Sequence, residues 1–162
     1  MEYKAIKIPE DLSAIRKVCE AAFTEGGDAN IDIWFSFEEM LRNIAMLRGC
    51  CLKAVDEKEE ICGTIYAQAE SPINGPEGLE KWVINLMAVH PDSAGQGIGS
   101  ALISALEQEA RRWGIIKIFI FANETDLPVQ RFYQKNGYQP AGRIQDYQYG
   151  ENNSAVFLLK YL

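Results

Sequence analysis

Three glycines alternate at Gly95, Gly97 and Gly99, after the apolar run Leu86 to Val89 and before an amphipathic stretch beginning at Ile98. Pro91 cannot donate to a ladder, so it ends the strand that the apolar run predicts. Glycine lacks a Cβ, so backbone N–H groups there can approach a ligand closely. At a helix start those groups are unpaired and carry the positive end of the dipole. The segment Gly95-Gln96-Gly97-Ile98-Gly99-Ser100 therefore reads as a cradle for phosphate. A ligand-free turn would need fewer glycines.

The two common nucleotide loops do not fit. A dinucleotide fingerprint needs a third glycine, where Leu102 stands if counting starts at Gly97 and Ser100 if it starts at Gly95. A P-loop needs Gly-Lys-Ser/Thr, and no lysine lies between Lys81 and Lys117. Other chemistry is sparse. No His/Cys/Asp/Glu set has metal-ligand spacing, and neither a Ser-His-Asp nor a Cys-His arrangement is evident. His90, the single histidine, ends its strand beside the phosphate cradle, which favours a structural role. Cys19, Cys50, Cys51 and Cys62 read as small buried hydrophobes of a reducing, cytoplasmic setting, with neighbours Cys50 and Cys51 on opposite faces of a strand.

At 162 residues the chain is expected to form one domain, 1–162, with a core of its own. Hydrophobic residues make up 48% and charged residues 24%, the balance of a soluble globular protein. The first thirty residues carry no signal-peptide pattern, and no apolar run approaches the ~20 residues of a membrane span. The net charge is −7, unevenly spread. Residues 1–80 hold 16 acidic and 8 basic side chains; residues 81–162 hold 7 and 8. Such a surface repels nucleic acid, and the half bearing the phosphate cradle is the half relieved of negative charge.

The elements that must position these groups follow from periodicity. Tyr3 to Ile8 predicts a strand, and Leu12, Ile15, Val18, Cys19, Ala22 and Phe23 the buried stripe of a helix. Ser36 with Glu39 forms a capping box for a short helix with apolar positions Met40, Leu41, Ile44 and Leu47. Cys51–Val55 and Ile61–Ala69 form a hairpin, and Ser71 to Gly78 a turn-rich loop into a strand at Trp82. The helix after the glycines buries Ile98, Leu102, Leu106, Ala110 and Trp113. Ile115 to Ala122 is almost continuously apolar, as a central strand buried on both faces would be. Asp126 caps a last helix, and strands at Tyr138–Tyr149 and Ser154–Leu159 flank a turn at Gly150. The order is β-α-α-β-β-β-α-β-α-β-β, an α/β fold with one mixed sheet of about seven strands and about four helices.

Strand, Val-x-Pro, Gly-x-Gly-x-Gly, helix resembles the coenzyme A loop of the GNAT superfamily of N-acetyltransferases, Arg/Gln-x-x-Gly-x-Gly/Ala. Gly97 and Gly99 fill its glycines, and Ala94 stands where Arg or Gln is usual. A second segment, Asp126 to Tyr138, resembles the family's Asn-x-x-Ala-x-x-Phe-Tyr-x-Lys-x-Gly-Phe/Tyr. Phe132, Tyr133, Lys135, Gly137 and Tyr138 match, while Asp126 and Val129 replace Asn and Ala. The element order matches the family's fold over nearly the whole chain.

The resemblance implies transfer of an acetyl group from acetyl-coenzyme A to a primary amine of a small molecule or peptide in a ternary complex, without a metal, by a protein for which a homodimer is plausible. It implies that amides of Gly95 to Ser100 hold the pyrophosphate and that Met87 and Val89 pair with the pantetheine arm as a strand would. Asn123 or Asp126 would contact the coenzyme. Tyr133 would be the general acid, a phenol near pKa ~10 protonating a thiolate near ~8.5. Glu80, Asn85, Glu70 or water would serve as base. A longer acyl donor, or a non-catalytic acyl-coenzyme A sensor, are the alternatives. On the acceptor side, Glu25, Asp28 and Asp32 with Trp34 and Phe35 suit a cationic acceptor, or equally a solvated acidic loop over buried aromatics.

Overall fold

The computed structural model describes residues 1–24, 30–70, 80–147 and 152–162. Seven strands form one mixed sheet: β1 (Glu2–Ala5), β2 (Gly49–Val55), β3 (Ile61–Ala69), β4 (Lys81–Val89), β5 (Lys117–Asn123), β6 (Gln139–Ile144) and β7 (Ala155–Tyr161). Among the described residues there are four α-helices, α1 (Leu12–Thr24), α2 (Phe37–Ala45), α3 (Ile98–Arg112) and α4 (Leu127–Lys135). The spatial order is β1-β2-β3-β4-β5-β7-β6. Only β4 and β5 run parallel, joined by the crossover through α3.

The sheet separates two cores. One packs Ile98, Leu102, Ile103, Leu106 and Ala110 of α3 against Ile65, Trp82, Ile118 and Leu158, with Tyr133 and Tyr138 at its α4 end. The other sets Ile15, Val18 and Cys19 of α1 and Met40 of α2 against Cys51, Tyr66, Leu86 and Ala88. Cys50 lies in the first core and Cys51 in the second, as their adjacency in a strand requires. All four cysteines are buried as free thiols. Burial pushes Cys19, Cys50 and Cys51 up to about 12 and raises Cys62 as well.

Local expectations held where caps and stripes are strong. The Glu39 amide donates to Ser36 Oγ at 3.2 Å, and the Val129 amide to Asp126 Oδ1 at 3.1 Å. They failed at element ends. The first strand stops at Ala5 instead of Ile8, and Leu47 lies beyond α2 in a left-handed turn, 76% exposed. Trp113 is not buried with the stripe of α3 but caps it edge-on to Trp82, ring centroids 5.4 Å apart. The strand expected over Tyr138–Tyr149 is shorter, Gln139–Ile144. The loop at 71–78 and most of the turn at Gly150 lie outside the described residues.

One lock between distant elements was not legible in the sequence. Glu107 of α3 is buried, and Lys160 of β7 donates to its two carboxylate oxygens at 2.7 and 2.8 Å. The same ammonium donates to the Asn136 carbonyl at the end of α4 at 2.9 Å. One cation thus ties together the two helices that flank the cleft described below.

Removing one member of a buried pair strands the other charge. Lys160→Met should cost about 3 kcal/mol, the low end for such pairs because the lysine keeps some solvent contact. The midpoint of urea unfolding should fall with an unchanged slope. Adding Glu107→Leu should recover at least half the loss; a double variant as weak as the sum of the two singles would show the pair is uncoupled.

Candidate active site

The site begins with a division of β4. Lys81, Trp82 and Val83 pair with Lys117, Ile118 and Phe119 of β5, and the parallel ladder ends there. On its other edge β4 stays paired with β3 up to Val89. From Ile84 onward a gap therefore opens between β4 and β5.

A bulge sets what faces that gap. Tyr66 opposes Leu86 and Ala67 opposes Ile84, so Asn85 is the extra residue. Before it, Trp82 and Ile84 bury their side chains on the α3 face; after it, Leu86 and Ala88 bury theirs on the α1 face. The backbone switches too. The Glu70 amide donates to Lys81 O at 3.1 Å, and the His90 amide donates to Cys62 O at 2.8 Å. Lys81 and His90 thus both face β3, although an uninterrupted strand would turn residues nine apart in opposite directions. Counting back from His90, the N–H and C=O groups of Met87 and Val89 point into the gap. They are the two residues that the sequence resemblance singles out.

The phosphate cradle stands at the end of β4. After a 3₁₀ turn at Pro91–Ser93, Gly95 and Gly97 take φ of +75° and +78°, and a Cβ on either would meet nothing within 4 Å. Gly97 is the N-cap of the 15-residue α3, with no side-chain cap and no acidic residue in the first turn. The loop amides and helix start thus face open space with a positive dipole end, which fits a diphosphate. Gln96 and Ser100 are exposed there. Gly99 plays a different part, since a Cβ would sit 3.1 Å from the Phe132 ring, so it brings α3 against α4.

Tyr133 lies on α4, on the same face of the sheet, and is 3% exposed. Its ring stands edge-on to Phe132 and Tyr138, with centroids 5.2 and 5.5 Å away. Its hydroxyl reaches Met87 Sδ at 3.9 Å, a weak acceptor on the strand that borders the gap. Burial raises its pKa well above that of an ordinary phenol. Asn123 and Asp126 are engaged locally. Asn123 Oδ1 accepts from the Thr125 amide at 2.9 Å and its Nδ2 bonds Asn153, while the Asp126 carboxylate caps α4. His90 Nδ1 accepts from the Asp92 amide at 3.3 Å and so caps the 3₁₀ turn.

On the opposite face the gap opens into a cavity of about 330 Å³ lined by Glu70, Asn85, Phe119, Phe121, Tyr147 and Phe157, among others. Of the three protein groups proposed as base, Glu70 and Asn85 line it and Glu80 does not. Glu70 Oε2 lies 2.9 Å from Lys81 Nζ. Asn85 Oδ1 is buried without a hydrogen-bond partner. The sequence reading missed the aromatic wall, because the apolar run of β5 suggested burial on both faces. In fact Ile118, Ile120 and Ala122 face the core while Phe119 and Phe121 are half-buried at the cavity. The trace in the sequence was slight: the odd row of β5 starts and ends polar, at Lys117 and Asn123.

The acidic loop reading divides. Glu25 and Asp28 lie outside the described residues. Asp32 is bound by Arg16 at 2.8 Å, which holds its carboxyl below the usual range. Phe35 is buried against Tyr66, and Trp34 packs on Phe23. Asp32 is thus paired and Phe35 buried, while Trp34 stays 43% exposed. Among the described residues no group of three or more His, Cys, Asp or Glu could hold a metal, and no helix is long and apolar enough to cross a membrane.

A mixed sheet opened between two parallel strands, with a glycine-capped helix at the mouth, defines an α/β architecture with one interior cleft. Residues 15–138 match the profile of the acetyltransferase (GNAT) family, and the chain belongs to that family. An acetyltransferase of Yersinia pestis (strain Pestoides F) is 32% identical over 85 residues, covering 52% of this chain and 57% of that protein. The human N-acetyltransferase 8B is 27% identical over 96 residues, 59% of this chain and 41% of the relative. The chain thus spans about half the length of these curated relatives. An aminoglycoside 6′-N-acetyltransferase solved with coenzyme A shares the fold, with a TM-score of 0.75 at 20% identity, over 99% of this chain and 97% of that one.

Gly97→Val would force a branched residue into a left-handed backbone and fill the cradle. Coenzyme A affinity should fall at least ~10-fold, about 1.4 kcal/mol. Calorimetry on the folded variant checks it, and unchanged affinity removes the cradle assignment.

Proposed function

We propose that the protein transfers an acetyl group from acetyl-coenzyme A to a primary amine. The observation that carries this reading is the released edge of β4, with Met87 and Val89 facing a gap that has the glycine cradle at one end and Tyr133 alongside. Acetyl-coenzyme A supplies an activated acyl thioester. The amides from Gly95 to Ser100 hold its pyrophosphate, and Met87 and Val89 pair with its pantetheine arm as a neighbouring strand would. One of the freed amides also polarises the thioester carbonyl.

Tyr133 keeps its proton because burial disfavours the phenolate, and its present acceptor is only a thioether. The departing thiolate is a far better acceptor and takes the Tyr133 Oη proton as the C–S bond breaks, while the second proton shed by the amine nitrogen restores the phenol, so no buried phenolate is left. On the acceptor side Glu70 takes a proton from the incoming ammonium, directly or through water. Asn85 has no basic lone pair and orients the amine by accepting a hydrogen bond. Asn123 and Asp126 act by holding the start of α4 in place. A sensor without turnover is the weaker reading, since a buried phenol held on a poor acceptor at the gap serves catalysis better than binding.

Tyr133→Phe keeps the ring and removes the proton. Thiol release should slow by ~10²–10⁴-fold with coenzyme A affinity retained. In the native protein the raised pKa means that Tyr133 stays protonated as pH rises through the ordinary phenol range, so kcat should not fall on that account below about pH 10. A Tyr133→Phe rate within twofold of native, with chemistry rate-limiting, would remove the acid role.

A further inference from the structure

We infer that the acceptor is a primary amine on a short, uncharged, ring-bearing body, and that this body sits among Phe119, Phe121, Tyr147 and Phe157. The inference rests on the acetyl-transfer reading for the chemistry and on the cavity for the substrate class. Phe121, Tyr147 and Phe157 form a closed triangle, with centroid separations of 5.3, 5.7 and 5.2 Å. Two pairs are near-perpendicular, at 72° and 80°, and the third is tilted at 38°. Half-exposed rings in such an arrangement present edges and faces to a flat apolar guest.

Charge argues in the same direction. Glu70 is the one carboxylate among the described lining residues, and its charge is balanced by Lys81 at 2.9 Å. A polycation would find no second carboxylate there, and an acceptor bearing its own carboxylate would find no unpaired cation. Asp32, which suggested a cationic acceptor, is bound by Arg16. The polar end of the cavity is marked instead by Asn85, whose buried and unpartnered Oδ1 sits at the bulge just past the point where β4 leaves β5. A ligand N–H there relieves an unpaired acceptor and places the amine at the gap through which the acetyl group must come. The volume, about 330 Å³, leaves room for a ring-bearing amine.

The test uses the full chain and three probes: phenylethylamine, spermidine and phenylalanine. Thiol release with acetyl-coenzyme A should give phenylethylamine a kcat/KM at least ~10-fold above the other two, with little salt dependence. Binding of phenylethylamine should also be visible by ligand-observed NMR on the coenzyme A complex. Tyr147→Ala and Phe157→Ala should each raise KM for phenylethylamine ~10-fold or more, with Tyr147→Phe close to native and coenzyme A affinity unchanged. Tyr147 is half-exposed, so its variant remains readable if Phe157→Ala does not fold. Phenylethylamine that binds without any thiol release sinks acetyl transfer and keeps the pocket. Turnover led by spermidine or phenylalanine keeps acetyl transfer and overturns the pocket. No phenylethylamine binding, or a Tyr147→Ala change in oligomeric state without a change in KM, overturns it as well.

Discussion

The site depends on one strand being held on one edge and released on the other. Through Val83, β4 is a central strand with two partners; beyond it only β3 remains. Strand edges are normally covered because unpaired amides invite unwanted pairing. Here the open edge is short, internal and flanked by packed helices, so only an extended, narrow chain can reach it. The Asn85 bulge makes the release usable by turning Met87 and Val89 toward the gap while Leu86 and Ala88 stay buried. A regular pleat that kept Asn85 in the ladder would instead send these four residues to the wrong sides.

The same geometry divides the labour between the two faces of the sheet. The α3 face carries the glycine cradle, Met87 and Tyr133; the opposite face carries Glu70, Asn85 and the aromatic wall. Under the acetyl-transfer proposal, a donor and an acceptor arriving from opposite faces would meet only in the gap and would not compete for surface. The Glu107–Lys160 lock matters in this light, because it fixes α3 and α4 against β7 and so fixes the donor face as one rigid wall.

What the sequence made legible was local. The alternating glycines, the Ser36 and Asp126 caps and the stripe of α3 are short-range patterns whose physics is complete within a few residues. Seven strands and four helices in the expected order followed from them. Three features depend on pairing between distant segments and left little local trace: the extra residue at Asn85, the lock between Glu107 and Lys160, and the exposure of Phe119 and Phe121. The last was hidden because a strand apolar on both faces looks the same whether its second face meets a helix or a ligand. Asp32 has a partner that composition does not show, since Arg16, sixteen residues before it, binds its carboxylate from another element.

The buried cysteines have a practical bearing. Thiolate, not thiol, reacts with maleimides and disulfide reagents, and all four cysteines are shielded and hold their protons firmly. The folded chain is therefore close to silent toward thiol chemistry. A single cysteine introduced at the rim of the aromatic cavity would be the one position to take up a fluorophore or spin label. The native thiols need not be replaced first, so occupancy of the cavity can be followed optically in an otherwise unaltered protein.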